Sequence, residues 1–417
     1  MARVMQTLTP HCRACGTPLP PPFLDLGCQP LANAFLNPAA IADEQRYPLR
    51  VRLCPSCALV QADDAVPPDA IFDVEYAYFS SFSDSWLTHC QQFAHSAIKR
   101  LGLGKNSRVM EIASNDGYLL QYFVAAGIPV LGIEPAANTA AAAIERGVPT
   151  EIAFFNTATG RDLAARGLSA DLLFGANVLA HVPDLRDFLG GVPHVLRPGG
   201  TLVFEFPHLL ELIRHMQFDT IYHEHFSYLS LLAVERALAA QGLAVYDVER
   251  LNTHGGSLRL YCAFASEGRT PSEAVLAVRA DERAAALDAP ATFATFAQRI
   301  ASIRDTFVQF VARTRANGHR IAAYGAAAKG NTFLNTCGIT AEDIICVFDR
   351  NPHKQGKLMP GSHVPVMAPE QLDAIRPDFL VILPWNLRDE ISTQLAGITQ
   401  WGGQFVVAVP TLDIFTP

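Results

Sequence analysis

The chain has 417 residues, 50% hydrophobic and 17% charged, with a formal net charge of −8. This length suggests two or three domains, and the apolar content excludes global disorder. The acidic balance argues against sequence-tolerant nucleic-acid binding, which needs clustered Lys and Arg. No apolar run reaches the ~18 residues of a membrane span, the first residues lack the pattern of a secretory signal, and nine cysteines read as reduced thiols rather than disulfides. A soluble, cytoplasmic, monomeric protein is expected.

Cys12-Arg-Ala-Cys15 and Cys54-Pro-Ser-Cys57 are two C-x2-C knuckles separated by 38 residues. Two knuckles converge on one ion as a closed four-thiolate shell, the tetrahedral preference of zinc, with no open position for chemistry. A structural zinc held by Cys12, Cys15, Cys54 and Cys57 is expected. The long spacer should carry some structure of its own, and Cys28 within it has no paired knuckle.

Beyond Tyr76 and Tyr78, the residues Trp86, Cys90, Phe93, Ala94, Ala97 and Leu101 share one helical face, capped by Asp84 or a nearby Ser. Val109–Ile112 reads as a buried strand, followed by Ala113-Ser-Asn-Asp-Gly117 and a helical run from Tyr118 to Phe123. A second strand, Val130–Ile133, ends on Glu134. A tight turn of small residues and a carboxylate at the end of the next strand suit a ribose, as in nucleotide-binding βαβ units. A dinucleotide would want G-x-G-x-x-G, which is absent. A nucleoside with an amino-acid tail, S-adenosylmethionine (SAM), fits better. Glu111, Ala113, Asn115, Gly117, Glu134 and Asn177 are the candidate cofactor residues. Leu172–Val182 and the turn Leu196–Gly200 leading into Thr201–Glu205 supply further strand-and-turn units of the same fold.

Phe218–Tyr228 is the densest titratable cluster. Its histidines, His223 and His225, are two apart, so the helical H-E-x-x-H zinc geometry is unavailable. A metal chelate from one face of a strand, or a plain polar loop, are alternatives. The preferred reading is a general base, because histidine titrates near neutrality. Methylating a carbon requires first making it nucleophilic, and the usual route removes a proton α to a ketone and stabilises the enolate. His225 as base, with Tyr222, Glu224, His181 and Tyr76 orienting groups and offering donors, supplies these parts. The loop Asn252-Thr-His254-Gly-Gly-Ser257 reads either as a ligand loop presenting His254 or as a hairpin turn.

Thr292–Thr314 carries a seam of Phe and Ile at spacings of three and four. A long helix is predicted from near Pro290 to before Asn317, packed between domains rather than forming a coiled coil. Then Ile321–Tyr324, Ile345–Phe348, Phe379–Leu383 and Phe405–Val409 form a small parallel sheet. The Gly325–Asn331 turn with Lys329 has the makings of an anion site, and Lys354 offers a second charge.

In this order, the four-cysteine module, Glu111-x-x-Ser-Asn-Asp-Gly117, Tyr222-His-Glu-His-Phe226, His254-Gly-Gly-Ser257 and Tyr324-Gly-x-x-x-Lys-Gly-Asn331 resemble the zinc-containing, SAM-dependent sugar C-methyltransferases. These act on nucleotide-linked 4-keto-deoxysugars in antibiotic and surface-polysaccharide pathways. The resemblance covers essentially the whole chain. It implies an α/β protein with a zinc-binding module over 1–75, a class I SAM methyltransferase domain over 76–285, and a second Rossmann-like domain over 286–417 that contacts the nucleotide sugar. It implies that His225 removes the C3 proton beside the C4 ketone, with Tyr222, Glu224, His181 and Tyr76 framing the enolate. Tyr78, His254, Tyr324, Lys329, Asn331, Asp349 and Asn386 would lie near the substrate, most often a dTDP-sugar. Ala113 stands where many relatives carry Gly, a change of little cost unless the position needs a positive φ. Rival readings are an O- or N-methyltransferase on a small molecule, a bifunctional methyltransferase and 4-ketoreductase, and a non-catalytic sensor of SAM or nucleotide sugar. The last has no use for a base.

Overall fold

A computed structural model describes residues 10–66 and 79–417; Tyr76 and Tyr78 lie outside them. Three sheets organise the described chain. The first joins β1 (Leu24–Gln29), β2 (Tyr47–Leu53) and β3 (Val60–Ala62) to β9 (Ser227–Tyr228), all antiparallel. The second contains β4 (Val109–Ile112), β5 (Val130–Ile133), β6 (Thr150–Glu151), β7 (Ala170–Ala176), β8 (Leu196–Pro207), β10 (Leu243–Leu251) and β11 (Ser257–Phe264). Its order is β10-β11-β8-β7-β4-β5-β6, parallel except where β11 runs against β8 and β10. The third contains β12 (Ile321–Tyr324), β13 (Val347–Phe348), β14 (Val366–Met367), β15 (Phe379–Ile382), β16 (Gln404–Val407) and β17 (Asp413–Phe415), in the order β14-β13-β12-β15-β16-β17 with only β17 antiparallel. Both α/β sheets therefore have a switch point, at β4/β7 and at β12/β15, where crevices open at the carboxyl ends of the strands.

Continuous apolar runs such as Ile321–Tyr324 and Phe379–Ile382 become central parallel strands because both faces are covered. Ser83 caps the helix Asp84–Leu101, its Oγ accepting from Trp86 N at 3.3 Å, so the cap is the neighbouring serine and not Asp84. The spacer between the knuckles carries β1, a short 3-10 turn and β2. The segment Leu196–Gly200, expected as a turn, is the first part of β8, and an irregularity in its pairing with β7 between Ala170 and Leu172 absorbs the glycines. β14 and the antiparallel β17 extend the third sheet beyond the four expected strands.

The long helix spans Pro290–Ala316. Its seam (Phe293, Phe296, Ile300, Phe307 and Phe310) is buried in one core with Leu24 and Val51 of the first sheet and Ile321 and Val381 of the third. The helix thus bridges two units, as expected, and each buried Phe contributes about 2 kcal/mol of apolar transfer. The first sheet has no core to itself; its apolar side chains complete a core built largely by the C-terminal unit. No helix among the described residues is long and apolar enough to cross a membrane.

Candidate active site

Cys12, Cys15, Cys54 and Cys57 bring their sulfurs within 4.8 Å of one another. Gln61 Nε2 lies 3.2 Å from Cys12 Sγ, and Cys57 N 3.5 Å from Cys54 Sγ. These N–H groups suit thiolates, and the set fits the closed four-sulfur shell of a structural zinc. Cys28 is exposed and apart from it.

A cavity of about 730 Å³ opens at the carboxyl ends of β4, β5 and β7, a size suited to a small-molecule ligand. Its wall includes Trp86, Ala113, Asn115, Glu134, Phe155, Asn177, Phe188, His181 and His254. Glu134 is fixed by two amides, its carboxylate accepting from Asn115 N and Ala136 N, both at 2.9 Å. Burial pushes its pKa up, and those amides hold it back. Asn177 Oδ1 is buried without a partner among the described residues, an acceptor left for a ligand's donor.

Four non-glycine residues on this wall have left-handed backbones: Ala113 (φ 57°), Asn115 (φ 47°), Asn177 (φ 54°) and His254 (φ 53°). Such conformations cost of order 1–2 kcal/mol each, least for Asn, and gather where a ligand is held. Ala113 therefore does occupy a position that prefers glycine, so its departure from the family pattern is not cheap. Gly117, at φ 77°, shapes the turn from behind, since a Cβ there would meet Val148 Cγ2 at 3.0 Å. Neither Gly117 nor Glu111 is on the cavity wall. Glu111 is fully buried, and desolvation holds its carboxyl well above the ordinary range.

His254 lies in the 3-10 turn Thr253–Gly255 between β10 and β11. The loop is both a hairpin turn and part of the cavity, and Asn177 Nδ2 meets His254 Nε2 at 3.2 Å. Behind it Glu205, buried at the end of β8, binds His89 Nε2 at 2.8 Å and Arg259 Nη2 at 2.9 Å. His89 stacks on Trp86, and Trp86 in turn faces His254. This ion-paired scaffold backs the part of the wall formed by Trp86 and His254.

The His223–His225 segment is a loop, not a strand. His223 Nε2 lies 3.2 Å from Tyr47 O and 3.3 Å from Pro48 O, on the first sheet. His225 Nδ1 instead faces Thr220 O at 2.8 Å. The two histidines are committed to different carbonyls, and among the described residues only the four cysteines have metal-site geometry, so a two-histidine chelate is set aside. A ring nitrogen facing a carbonyl must carry the proton. His225 is thereby fixed with Nδ1–H donating and a basic lone pair on Nε2. His181 Nδ1–H likewise donates to Glu224 O at 2.8 Å. The rings cluster, with His225 at 4.8 Å from His181 and 4.1 Å from Tyr222 between centroids. Burial drives His181 down to about 4. Burial, reinforced by the neighbouring His181, drives His225 well below the ordinary histidine value. Both are neutral at pH 7. Glu224 is raised by burial, opposed by Asn33.

At the third sheet's switch point Lys329 Nζ donates to Asn386 Oδ1 at 3.2 Å and lies over the Trp385 ring. Asp349 accepts from Ala326 N at 2.7 Å. Lys354 Nζ donates to Ala326 O at 2.7 Å and Asn331 Nδ2 to Ala32 O at 2.5 Å. Tyr324 is buried at the end of β12. Burial pushes Lys329 down against the pull of Asp219, and Lys329 in turn helps to depress His225; with Trp385 Nε1 bonded to Asp219 Oδ2 at 2.7 Å, the C-terminal turn and the histidine loop border one crevice. Residue patterns missed Trp86, read as helix core; Glu205 and Arg259, which lie in strands without a motif; and Asp219, which sits inside the titratable cluster with no signature of its own.

A family profile described as a zinc binding domain matches residues 12–72, one described as a methyltransferase domain matches 86–248, and one described as a C-methyltransferase C-terminal domain matches 252–410. The C-methyltransferase NovU of Streptomyces niveus is 36% identical over 401 residues, 96% of this chain and 95% of that protein. The ubiquinone biosynthesis O-methyltransferase of Bradyrhizobium sp. (strain ORS 278) is 28% identical over 168 residues, 34% of this chain and 65% of that protein. Among solved structures, the PH0226 protein from Pyrococcus horikoshii OT3 covers 47% of this chain and 98% of its own at 15% identity and a TM-score of 0.36, too low to bear on the fold. With three consecutive profiles and a relative matched end to end, the chain is a SAM-dependent methyltransferase with a structural zinc, and it belongs to the zinc-containing C-methyltransferase family that the order of its motifs resembles.

Proposed function

We propose that this enzyme methylates C3 of a dTDP-linked 4-keto-deoxysugar through an enolate, with His225 as the base. The observation that carries the reading is the tautomer of His225: Nδ1–H is spent on Thr220 O, which leaves Nε2 free to accept a proton. A neutral histidine at pH 7 is in the correct form for that step. SAM, when bound, supplies an electrophilic methyl group. The chain's own residues do the rest. His225 Nε2 takes the C3 proton, and the charge that moves onto the C4 oxygen meets donors from Tyr222 and Tyr76, with His181 and Glu224 framing the enolate and setting the loop. His254 borders the sugar, and Tyr78 is the further substrate residue that the family resemblance implies. Lys329, with Asn331, Tyr324, Asp349 and Asn386, receives the diphosphate and nucleotide at the third sheet's switch point. Glu134, Asn115, Ala113 and Asn177 line the SAM cavity, with Glu111 and Gly117 supporting it from behind.

This reading assigns the zinc-binding module to residues 1–75, the methyltransferase domain to 76–285 and the nucleotide-sugar domain to 286–417. The test is mass spectrometry of the protein with methyl-labelled SAM and a panel of nucleotide 4-ketosugars, following the C3 hydrogen. Label on carbon with that hydrogen lost is the expected result. His225→Asn should bind SAM and lose methylation almost completely; substantial residual methylation would favour an oxygen or nitrogen acceptor and overturn the enolate route.

A further inference from the structure

The N-terminal module reaches into the crevice itself. After β1 the chain runs through Leu31–Leu36, and this segment is held on several sides. Gln29 Nε2 donates to Thr336 Oγ1 at 3.1 Å, and Asn331 Nδ2 donates to Ala32 O at 2.5 Å. Leu36 and Leu358 exchange two backbone bonds of 3.1 and 2.8 Å. Lys354 Nζ sits 5.1 Å from the Phe35 ring centroid. From the middle of the segment, Asn33 Nδ2 donates to Glu224 Oε1 at 2.7 Å.

We propose that Asn33 is a positioning residue of the active site, orienting the Glu224 carboxylate from the metal-binding module. The inference rests on the proposed role of the Tyr222–His225 loop. Glu224 is tied at both ends: its carbonyl accepts from His181 Nδ1, and its carboxylate accepts from Asn33 Nδ2. An amide donating to an ionised carboxylate makes a short, directional bond. Losing it frees the carboxylate to turn, and with it the peptide whose carbonyl fixes the His181 ring. The donor comes from a backbone anchored to the C-terminal domain through Asn331, Thr336 and Leu358. Glu224 therefore takes its orientation from outside its own domain, and the zinc module acquires a part in catalysis besides stability.

The test is a double-mutant cycle on the full-length, zinc-loaded protein, using the nucleotide 4-ketosugar that the labelling panel turns over. Asn33→Ala is expected to lower kcat by about 10–100-fold, the scale of a misplaced catalytic group, with the KM for SAM unchanged within about twofold. In a Glu224→Ala background, where the acceptor is gone, the same change should cost less than about threefold, because the two residues act as one unit. Parental kcat in Asn33→Ala, or losses that simply multiply in the double variant, would overturn the proposal. Asn33→Asp, nearly isosteric but without the amide donor, repeats the measurement should Asn33→Ala lose zinc or melt early, and parental kcat in that variant counts equally against it. His225→Asn is assayed beside them. If it retains methylation, the reading of the site fails; if it is inactive while the Asn33 variants are not, only this inference fails.

Discussion

Asp219 and Trp385 stand 166 residues apart, yet Trp385 Nε1–H donates to Asp219 Oδ2 at 2.7 Å. The bond joins the turn just before Thr220, whose carbonyl fixes His225, to the loop after β15 that carries Asn386. Trp385 also lies under the Lys329 ammonium. One indole thus connects the base loop with the C-terminal crevice.

Asp219 is buried, and desolvation raises it from 3.8 to about 6 against the pull of Lys329 and Trp385. A carboxyl raised on folding stabilises the folded state below its unfolded pKa, and that contribution is lost as the pH rises through the folded value. Two units correspond to about 3 kcal/mol. Asp219→Asn should therefore gain stability relative to the parent between pH 4 and about 6, with a constant difference above. Denaturant unfolding of both proteins at pH 4.5 and 7.5 measures this, and a difference independent of pH would refute it.

The depressed pKa values of His181 and His225 have a kinetic sign. A base held neutral keeps working into acid, so the acidic limb of the kcat–pH profile should lie below 6.5 rather than at the ordinary histidine value. The same groups give stability that is full above 6.5 and declines as the pH falls from there towards about 4. Turnover at saturating SAM from pH 5 to 8 reads the first statement; a limb centred at 6.5 or higher would contradict it.

Ala113 offers a stabilising substitution. At φ 57° glycine avoids the steric cost of an L side chain, although it loses more chain entropy on folding. Ala113→Gly should be neutral or stabilising by up to about 1 kcal/mol, with SAM affinity retained. Calorimetric binding and denaturant titration test both halves; a loss of more than about 1 kcal/mol would show that the methyl group packs usefully.

Removing the zinc should separate binding from turnover. Cys54→Ser leaves three sulfurs and should cost several kcal/mol of stability, since metal binding is coupled to folding. The SAM cavity is walled by residues of the second sheet and its flanking helices, so affinity for SAM should fall far less than turnover. Zinc content of the denatured protein, set beside SAM titrations, gives the answer. Equal loss of both would mean that the module supports the whole domain.

Much of this architecture follows from local patterns. The knuckle spacing foretells the cysteine cluster, continuous apolar runs foretell the central strands, and the phenylalanine seam foretells the bridging helix nearly to its ends. The fates of the two histidines were not legible, because which carbonyl each meets depends on Tyr47, Pro48 and Thr220 arriving from elsewhere. Trp86 looked like helix core because a cavity wall and a core impose the same apolar period. Ala113 gave no sign of its left-handed backbone beyond the glycine that relatives carry in its place. Ser227–Tyr228 is too short to show a period at all, and its pairing with β3 is a purely tertiary event.

That last pairing has a consequence for synthesis. The four cysteines lie between residues 12 and 57, so the metal can be captured early, but the edge of β3 is covered only when Tyr228 arrives opposite Val60. At about 5–20 residues per second the ribosome needs on the order of ten to thirty seconds to make the intervening chain. During that interval the nascent module exposes an unpaired strand and an apolar face whose partners, Phe218 and the long helix, are still unmade. The same stitch that ties the base loop to the zinc module makes this enzyme a candidate client for chaperones that shield open sheet edges.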